Sequence, residues 1–402
     1  CYNMYLSNST LSSIKTSKDE LLHSGVITET IKDQIVDSAG TGTNVIKLPN
    51  GYSDSSSPNY IEWSNSYTDT FDSATKKITY TVDSKGEIDA ILASVSELLT
   101  STNVKFDEMT SFNYSKVFDS TTQAVILKSK VVCETIIDVV VSNTAIHVPN
   151  DPTLGFLDNT DRTEWWKDNG ELKYFFNSLN NLLTSSQKED LSTSSIDVDD
   201  AYTTLVKETS RREILASYVV SEILTYNFST LSIVEIPTYA NAGIDLNKTN
   251  ADGSDDRSAW YQITESSSSR TVSEDKELWK FVTSVNILIG NSFASTHTFT
   301  IDDLLSNVAF IPTLDANLNN TNATVYRFLQ SKIMEEIFVG ILQTLISPSS
   351  VLGGLLNVPS DINYYEFKTS VGSEYDTQTI LESLYMLNEA VLYQMLGTLT
   401  AS

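Results

Sequence analysis

The sequence predicts an α+β protein. The expected architecture is an elongated tandem array of about four helix-rich repeats, each with two main amphipathic helices and short strands. Three observations lead there. A Leu-x-Ser element, followed by two apolar residues and then Glu, occurs four times: Leu22-His23-Ser24, Leu127-Lys128-Ser129, Leu215-Ala216-Ser217 and Leu329-Gln330-Ser331. A second apolar stripe with its own serine recurs between these copies. A short apolar run ending in Pro follows each Leu-x-Ser element. Degenerate self-similarity at long period marks a repeat architecture, in which stacked units share a core that one unit cannot build alone.

The stripe is clearest at Ile88, Ile91, Leu92, Val95, Leu98 and Leu99. It returns at Leu172, Phe175, Phe176, Leu179, Leu182 and Leu183, and again at Leu278, Phe281, Val282, Val285, Leu288 and Ile289. Steps of three and four residues draw one apolar face on a helix. Each copy opens with an acidic residue (Glu87, Glu171, Glu277), suited to the positive end of a helix dipole. Each carries Ser94, Ser178 or Ser284 on the stripe, and Gly precedes the Glu in two copies. A fourth copy begins at Asp376 with Ile380, Leu381, Ser383, Leu384 and Leu387, and its apolar pattern continues through Val391 and Leu392.

The Leu-x-Ser helix is amphipathic as well, as Leu329, Ile333, Ile337, Ile341 and Leu345 show. Between the two helices, residues 196–207 and 299–310 read as short helices with acidic starts. After the Leu-x-Ser helix, Val45–Pro49, Ala145–Pro149, Ile233–Pro237 and Leu355–Pro359 read as short strands ended by Pro. Aromatic segments around Trp63, Trp165 and Trp166, Trp260 and Phe367 read as a second extended piece, and Ile78, Tyr80 and Val82 alternate as a strand. The expected boundaries are 1–85 for the later part of a repeat, then repeats 86–169, 170–275 and 276–375, with 376–402 opening a further one.

The ends suggest an assembly. Residues 1–50 hold a Leu-x-Ser helix without a stripe helix before it, and residues 376–402 hold a stripe helix without its partner. The spacing from Ser383 off the end and back in to Ser24 falls within the internal range. Either the chain continues a longer array, or the C-terminal helix of one chain (Ile380, Leu381, Leu384, Leu387, Val391, Leu392) completes the N-terminal half of the next (Val26, Ile27, Ile31). A head-to-tail contact of that kind does not close and builds filaments.

The net charge of −26 argues against phosphate backbones and anionic lipid surfaces as partners. No apolar run is long enough to span a membrane. Of the two cysteines, Cys133 stands where other copies have Thr28 and Ser221 and reads as a small packed side chain; Cys1 is a candidate lipidation site. No stretch carries a catalytic signature, and His23, His147 and His297 are scattered without ligand spacing, so no enzyme is expected. Asp245, Asn247, Asp252 and Asp256 place hard oxygen ligands in one loop, a candidate calcium site, although Asn250 stands where an EF-hand loop needs Gly; a solvated acidic loop is the alternative. The recurring Glu29, Glu134, Glu222 and Glu336 fall off the stripe and read as solvated or hydrogen-bonding carboxylates. The aromatic segments read as packing at the seams between units, with sugar stacking as the alternative.

Together, the Gly-Glu-Leu helix after a Trp, the Leu-x-Ser helix and the Val-Pro run resemble the tandem repeats of very large surface proteins of Mollicutes and related low-GC Gram-positive bacteria. The resemblance implies an extracellular, elongated protein of poorly defined role and brings no catalytic residues. The expected role is a non-enzymatic rod or filament. A surface adhesin or lipoprotein that binds a glycan or protein through its variable loops is the alternative, and it requires a cluster of exposed aromatics.

Overall fold

The computed structural model describes residues 6–7, 18–39, 46–98, 103–104, 113–143, 147–149, 154–156, 162–191, 194–234, 256–308 and 324–346. It is a mixed, helix-rich α+β structure with few, short strands. In chain order the strands are β1 (Leu6–Ser7), β2 (Ser66–Asp72), β3 (Lys77–Ser84), β4 (Asn103–Val104), β5 (Ile263–Glu265) and β6 (Arg270–Val272). The helices are α1 (Gly25–Ser38), α2 (Glu87–Leu98), α3 (Ser120–Ile126), α4 (Lys130–Ser142), α5 (Thr163–Trp166), α6 (Glu171–Leu182) and α7 (Ser185–Glu189), then α8 (Val198–Leu205), α9 (Glu208–Ile214), α10 (Tyr218–Thr230), α11 (Glu277–Ile289), α12 (Ile301–Asn307), α13 (Thr324–Phe328) and α14 (Lys332–Ile346). Among the described residues the strands form three two-stranded sheets: β1 with β4, β2 with β3, and β5 with β6.

The three stripe helices α2, α6 and α11 form where the apolar spacing predicts. Ile88, Ile91, Leu92, Val95 and Leu98 are buried on α2, as are Leu172, Phe175, Phe176 and Leu179 on α6, and Leu278, Phe281, Val282, Val285 and Leu288 on α11. Each such side chain contributes about 1.5–3 kcal/mol on burial. The Leu-x-Ser helices are α1, α4, α10 and α14, but the element begins later than its pattern suggests. Ser24 and Ser129 are N-caps that accept from the Ile27 and Val132 amides at 3.4 and 3.1 Å. Ser217 and Ser331 accept from Val220 and Met334 at 3.0 and 3.1 Å. The Leu of the motif therefore lies before the helix, in a sharp break that follows a short helix. A serine hydroxyl satisfies an amide that has no partner in the first turn, which is why Ser sits at the break.

Two of the Pro-terminated runs, as far as they are described, are not strands. Residues 46–49 and 147–149 carry no ladder, and the Lys47 amide donates to Thr135 Oγ1 at 3.0 Å instead. The other two runs lie wholly or mostly outside the described residues. Three of the four aromatic segments are not strands either: Trp165 sits in the single turn α5, and Ile61 to Trp63 and Ala259 to Tyr261 are irregular. Their carbonyls have another use. Glu62 and Trp63 accept from the first two amides of α2 at 2.8 and 3.2 Å, and Ala259 and Trp260 do so for α11 at 3.2 and 2.9 Å. The approach is close enough that a Cβ on Gly86 would lie 2.5 Å from the Trp63 carbonyl oxygen, which accounts for the Gly before the stripe. Trp63, Trp165 and Trp260 are buried and Trp166 is half-buried, while Phe367 lies outside the described residues.

The chain divides into two compact units. One comprises residues 1–197, 212–223 and 265–270, the other 198–211, 224–264 and 271–402. In the first, α2 packs on α1, α3 and α4, and the Tyr114–Phe118 turn packs on α2, α3, α6 and α7. The β2–β3 hairpin pairs Ser66 with Ser84 through Asp72 with Lys77 and is almost wholly exposed. It leans on the start of α1, where the His23 ring stacks on Tyr80 with centroids 3.8 Å apart. In the second unit α11 packs on α12, α13 and α14. Phe228 meets Phe281 edge-on at 5.0 Å, and Tyr202 lies 4.9 Å from Phe293. Helix α11 ends at Gly290, whose φ of +59° favours a residue without a Cβ. A Thr300–Asp303 capping box opens α12. Among the described residues no helix is long and apolar enough to cross a membrane.

Candidate functional site

The most distinctive polar chemistry lies where each stripe helix meets the break before a Leu-x-Ser helix. Glu87, at the start of α2, does not serve its own helix. Its Oε1 accepts from Ser129 Oγ at 2.6 Å and from the Val131 amide at 3.0 Å, both at the start of α4. Glu171 does the same for α10, accepting from Ser217 Oγ at 2.5 Å and Val219 N at 3.0 Å. Glu277 does it for α14, accepting from Ser331 Oγ at 2.5 Å and Ile333 N at 3.0 Å. All three carboxylates and all three serines are buried. A negative group at a helix N-terminus meets unpartnered amides and the positive end of the dipole.

Two turns further along the same face, the stripe serine binds the other side of the break. Ser94 Oγ donates to the Ile126 carbonyl at 3.0 Å, Ser178 to Ile214 at 2.6 Å and Ser284 to Phe328 at 2.6 Å. These carbonyls close the short helices α3, α9 and α13. A Glu and a Ser seven residues apart on one helix thus hold the end of one neighbour and the start of the next. Burial raises the Glu87, Glu171 and Glu277 carboxyls above the ordinary carboxylate range, against the serine and amide hydrogen bonds and, at Glu171, against Arg270.

The Glu171 node carries an addition. Arg270 Nη1 donates to Glu171 Oε2 at 2.5 Å and to the Ala216 carbonyl at 3.1 Å, and Nη2 lies 2.8 Å from Glu265. The guanidinium stands over Tyr174 and Tyr218 at 4.3 and 5.0 Å. Lys167 bonds Glu265 at 2.9 Å and Asn169 bonds the Ser267 carbonyl, so residues 265–270 are tied to the start of α6. Nothing in the sequence singles out Arg270, because it belongs to one copy only.

Position four after three of the four capping serines is also shared, Glu335 standing there in the fourth copy. Thr28 Oγ1 donates to the Leu22 carbonyl at 3.2 Å, Ser221 Oγ to Leu215 at 3.0 Å, and Cys133 Sγ approaches Leu127 at 3.5 Å. Cys133 is buried and its thiol is pushed well above the usual range by that burial, so it is a packed hydrogen-bonding side chain. Of the recurring acids after the capping serine, Glu29 is exposed beside Lys32, Glu222 and Glu336 are buried, and Glu134 lies 3.8 Å from the buried Arg162.

Of the candidate calcium ligands only Asp256 is described. It accepts from the Ser258 amide and hydroxyl at 3.1 and 2.6 Å; Asp245, Asn247 and Asp252 lie outside the described residues. Among the described residues no group of three or more His, Cys, Asp or Glu is placed to hold a metal. Cys1 and the C-terminal set Ile380, Leu381, Leu384, Leu387, Val391 and Leu392 also lie outside the described residues. On α1, Val26 and Ile27 are exposed, whereas Ile31 is buried with Ile35 against the rest of its unit. An open groove of about 630 Å³ runs beside the start of α11, lined by Glu274, Asp275, Trp279, Lys280, Thr283 and Arg327 among others. Arg211 stacks on Trp279 at 4.5 Å and donates to Thr283, so the indole face is already occupied.

Compared with known proteins, the chain matches no family model, no curated protein and no solved structure.

Proposed function

We propose that this chain is a non-enzymatic structural protein, a tandem array of helical repeats that builds an extracellular rod or filament. The observation that carries this reading is the buried Glu–Ser–amide node, present in the same form at Glu87, Glu171 and Glu277. The polar groups that recur along the chain are spent on joining helices. In each case one stripe helix fixes a broken pair of neighbours, which is what a stacked unit needs and what a reaction site does not. The expected repeat starts at 86, 170 and 276 each fall beside one of these glutamates, which supports the reading. The cell-surface location rests on the resemblance of the motifs to large bacterial surface proteins. The recurring Trp63, Trp165 and Trp260 are buried and do not themselves offer a stacking face to the adhesin alternative, which would draw, among the described residues, on the exposed Tyr60, Phe71 and Tyr226.

Small-angle X-ray scattering of the monomer at high dilution tests the array. A compact domain of this length has a radius of gyration of about 21 Å. A rod of stacked repeats gives a clearly larger value and a linear cross-sectional Guinier region. A value close to 21 Å overturns the array.

A further inference from the structure

The four Leu-x-Ser helices do not have the same surroundings. In three of them the two apolar residues after the cap are fully covered: Val131 and Val132, Val219 and Val220, Ile333 and Met334 are all buried. At the start of α1 the matching residues are Val26, 79% exposed, and Ile27, 39% exposed. The residue before the Leu repeats the contrast: Ile126, Ile214 and Phe328 are buried, but Leu21 is 37% exposed. The polar half of the node is open as well. Ser24 caps its own helix, yet among the described residues no carboxylate reaches its Oγ, whereas Ser129, Ser217 and Ser331 each donate to a glutamate. Among the described residues no stripe helix covers Leu21, Ser24, Val26 and Ile27.

We propose that this open face is a docking site for residues 376–387 of a second copy of this chain, joined head to tail. The inference rests on the tandem-repeat reading and adds the partner and the contact. What covers the equivalent face three times is an element with an acidic first residue, an apolar stripe and a serine seven residues on. Residues 376–387 have that pattern, with Asp376 in the place of Glu87, Glu171 and Glu277, Ser383 in the place of Ser94, Ser178 and Ser284, and Ile380, Leu381, Leu384 and Leu387 on the stripe. In the complex the Asp376 carboxylate accepts from Ser24 Oγ and the Val26 amide, and Ser383 Oγ donates to carbonyls near Leu21. Asp is one methylene shorter than Glu, so the incoming element sits closer to Ser24 or bonds it more weakly. That suits a contact between chains, which must form after folding. The surface used at the head differs from the surface used at the tail, so each addition leaves both ends open and the product grows as a filament.

The test is sedimentation velocity of the full chain over a wide concentration series, with two variants, Val26→Asp and Leu384→Asp. Val26 is exposed, so its variant keeps the wild-type circular dichroism; the Leu384 variant is held to the same criterion. The wild type is expected to grow beyond the 44.5 kDa of one chain as concentration rises, and each variant alone to stay at that mass. An equimolar mixture of the two still has one intact head and one intact tail, and is expected to stop at twice the chain mass. A wild type that remains monomeric throughout, single variants that assemble like the wild type, or a mixture that stays monomeric would each overturn the proposal. The scattering of the monomeric Val26→Asp chain separates the two readings. A rod-like profile without assembly removes the docking and keeps the array, whereas a compact profile removes the array itself.

Discussion

The start of α4 and the start of α1 are built from nearly the same residues and end in opposite states. Both have Leu-x-Ser, a capping hydroxyl, two branched apolar side chains, and a small side chain (Cys133 or Thr28) directed at the Leu carbonyl. At α4 a stripe helix lies over them and Glu87 reaches Ser129; at α1 the valine and isoleucine face water. Local sequence makes the helix and its cap in both. Coverage decides which side chains become core. The break before the helix is thus a local property, and the node is a property of packing.

Three substitutions probe that contrast, beginning with the largest expected effect. Glu171→Ala takes from the buried Arg270 the more deeply buried of its two carboxylate partners, leaving only Glu265, and also leaves an unfilled helix start. It should cost about 3–5 kcal/mol, seen as a lower urea midpoint. Glu87→Ala removes a carboxylate with no arginine beside it and should cost about 1–3 kcal/mol, the penalty of orphaning Ser129 Oγ and the Val131 amide. An equal loss in the two variants would mean that Arg270 adds nothing. Next, Val131→Ala should cost about 2 kcal/mol, whereas Val26→Ala, measured in the monomer, should stay within about 0.5 kcal/mol of wild type. Equal costs would mean that the face of α1 is covered in solution.

The smallest effect is in the pH dependence. Burial holds the Glu87 carboxyl above its ordinary 4.5, so the folded protein binds that proton more tightly than the unfolded chain does. Its contribution to stability is therefore fullest at low pH and declines as pH rises from about 4.5 through the folded value. Glu87→Gln cannot titrate. The stability of wild type relative to this variant should fall as pH rises above about 4.5, read as the difference in urea midpoints. A constant difference would mean the carboxyl is not perturbed.

Much of this was legible in the sequence, and the failures have a common cause. The stripe helices, the α8 and α12 segments and the β3 strand follow from spacing alone, because each is decided by contacts a few residues apart. The serines of both motifs and the acidic helix starts were visible as recurring residues. Their pairing was not, since Glu87 and Ser129 are 42 residues apart in sequence and meet only through packing. The positive end of the α2 dipole predicts that Glu87 serves its own helix; the backbone carbonyls of Glu62 and Trp63 already serve those amides, which frees the side chain for the neighbour. The segments at Trp63 and Trp260 are β-formers by composition, yet their backbone carbonyls cap a helix instead of pairing in a sheet. Arg270 left no pattern, since one copy in four cannot show a period.

One stripe helix holding both sides of a break also has a kinetic meaning. The Val131 amide and the Ile126 carbonyl lie on different helices, yet both are released by displacing α2. Hydrogen exchange at the start of α4 should then follow the exchange of α2, as one opening event, rather than the fraying expected of a helix end. The same holds for Val219 with α6 and for Ile333 with α11. The slowest-exchanging amides of each unit would include helix first turns, which in most proteins are among the fastest.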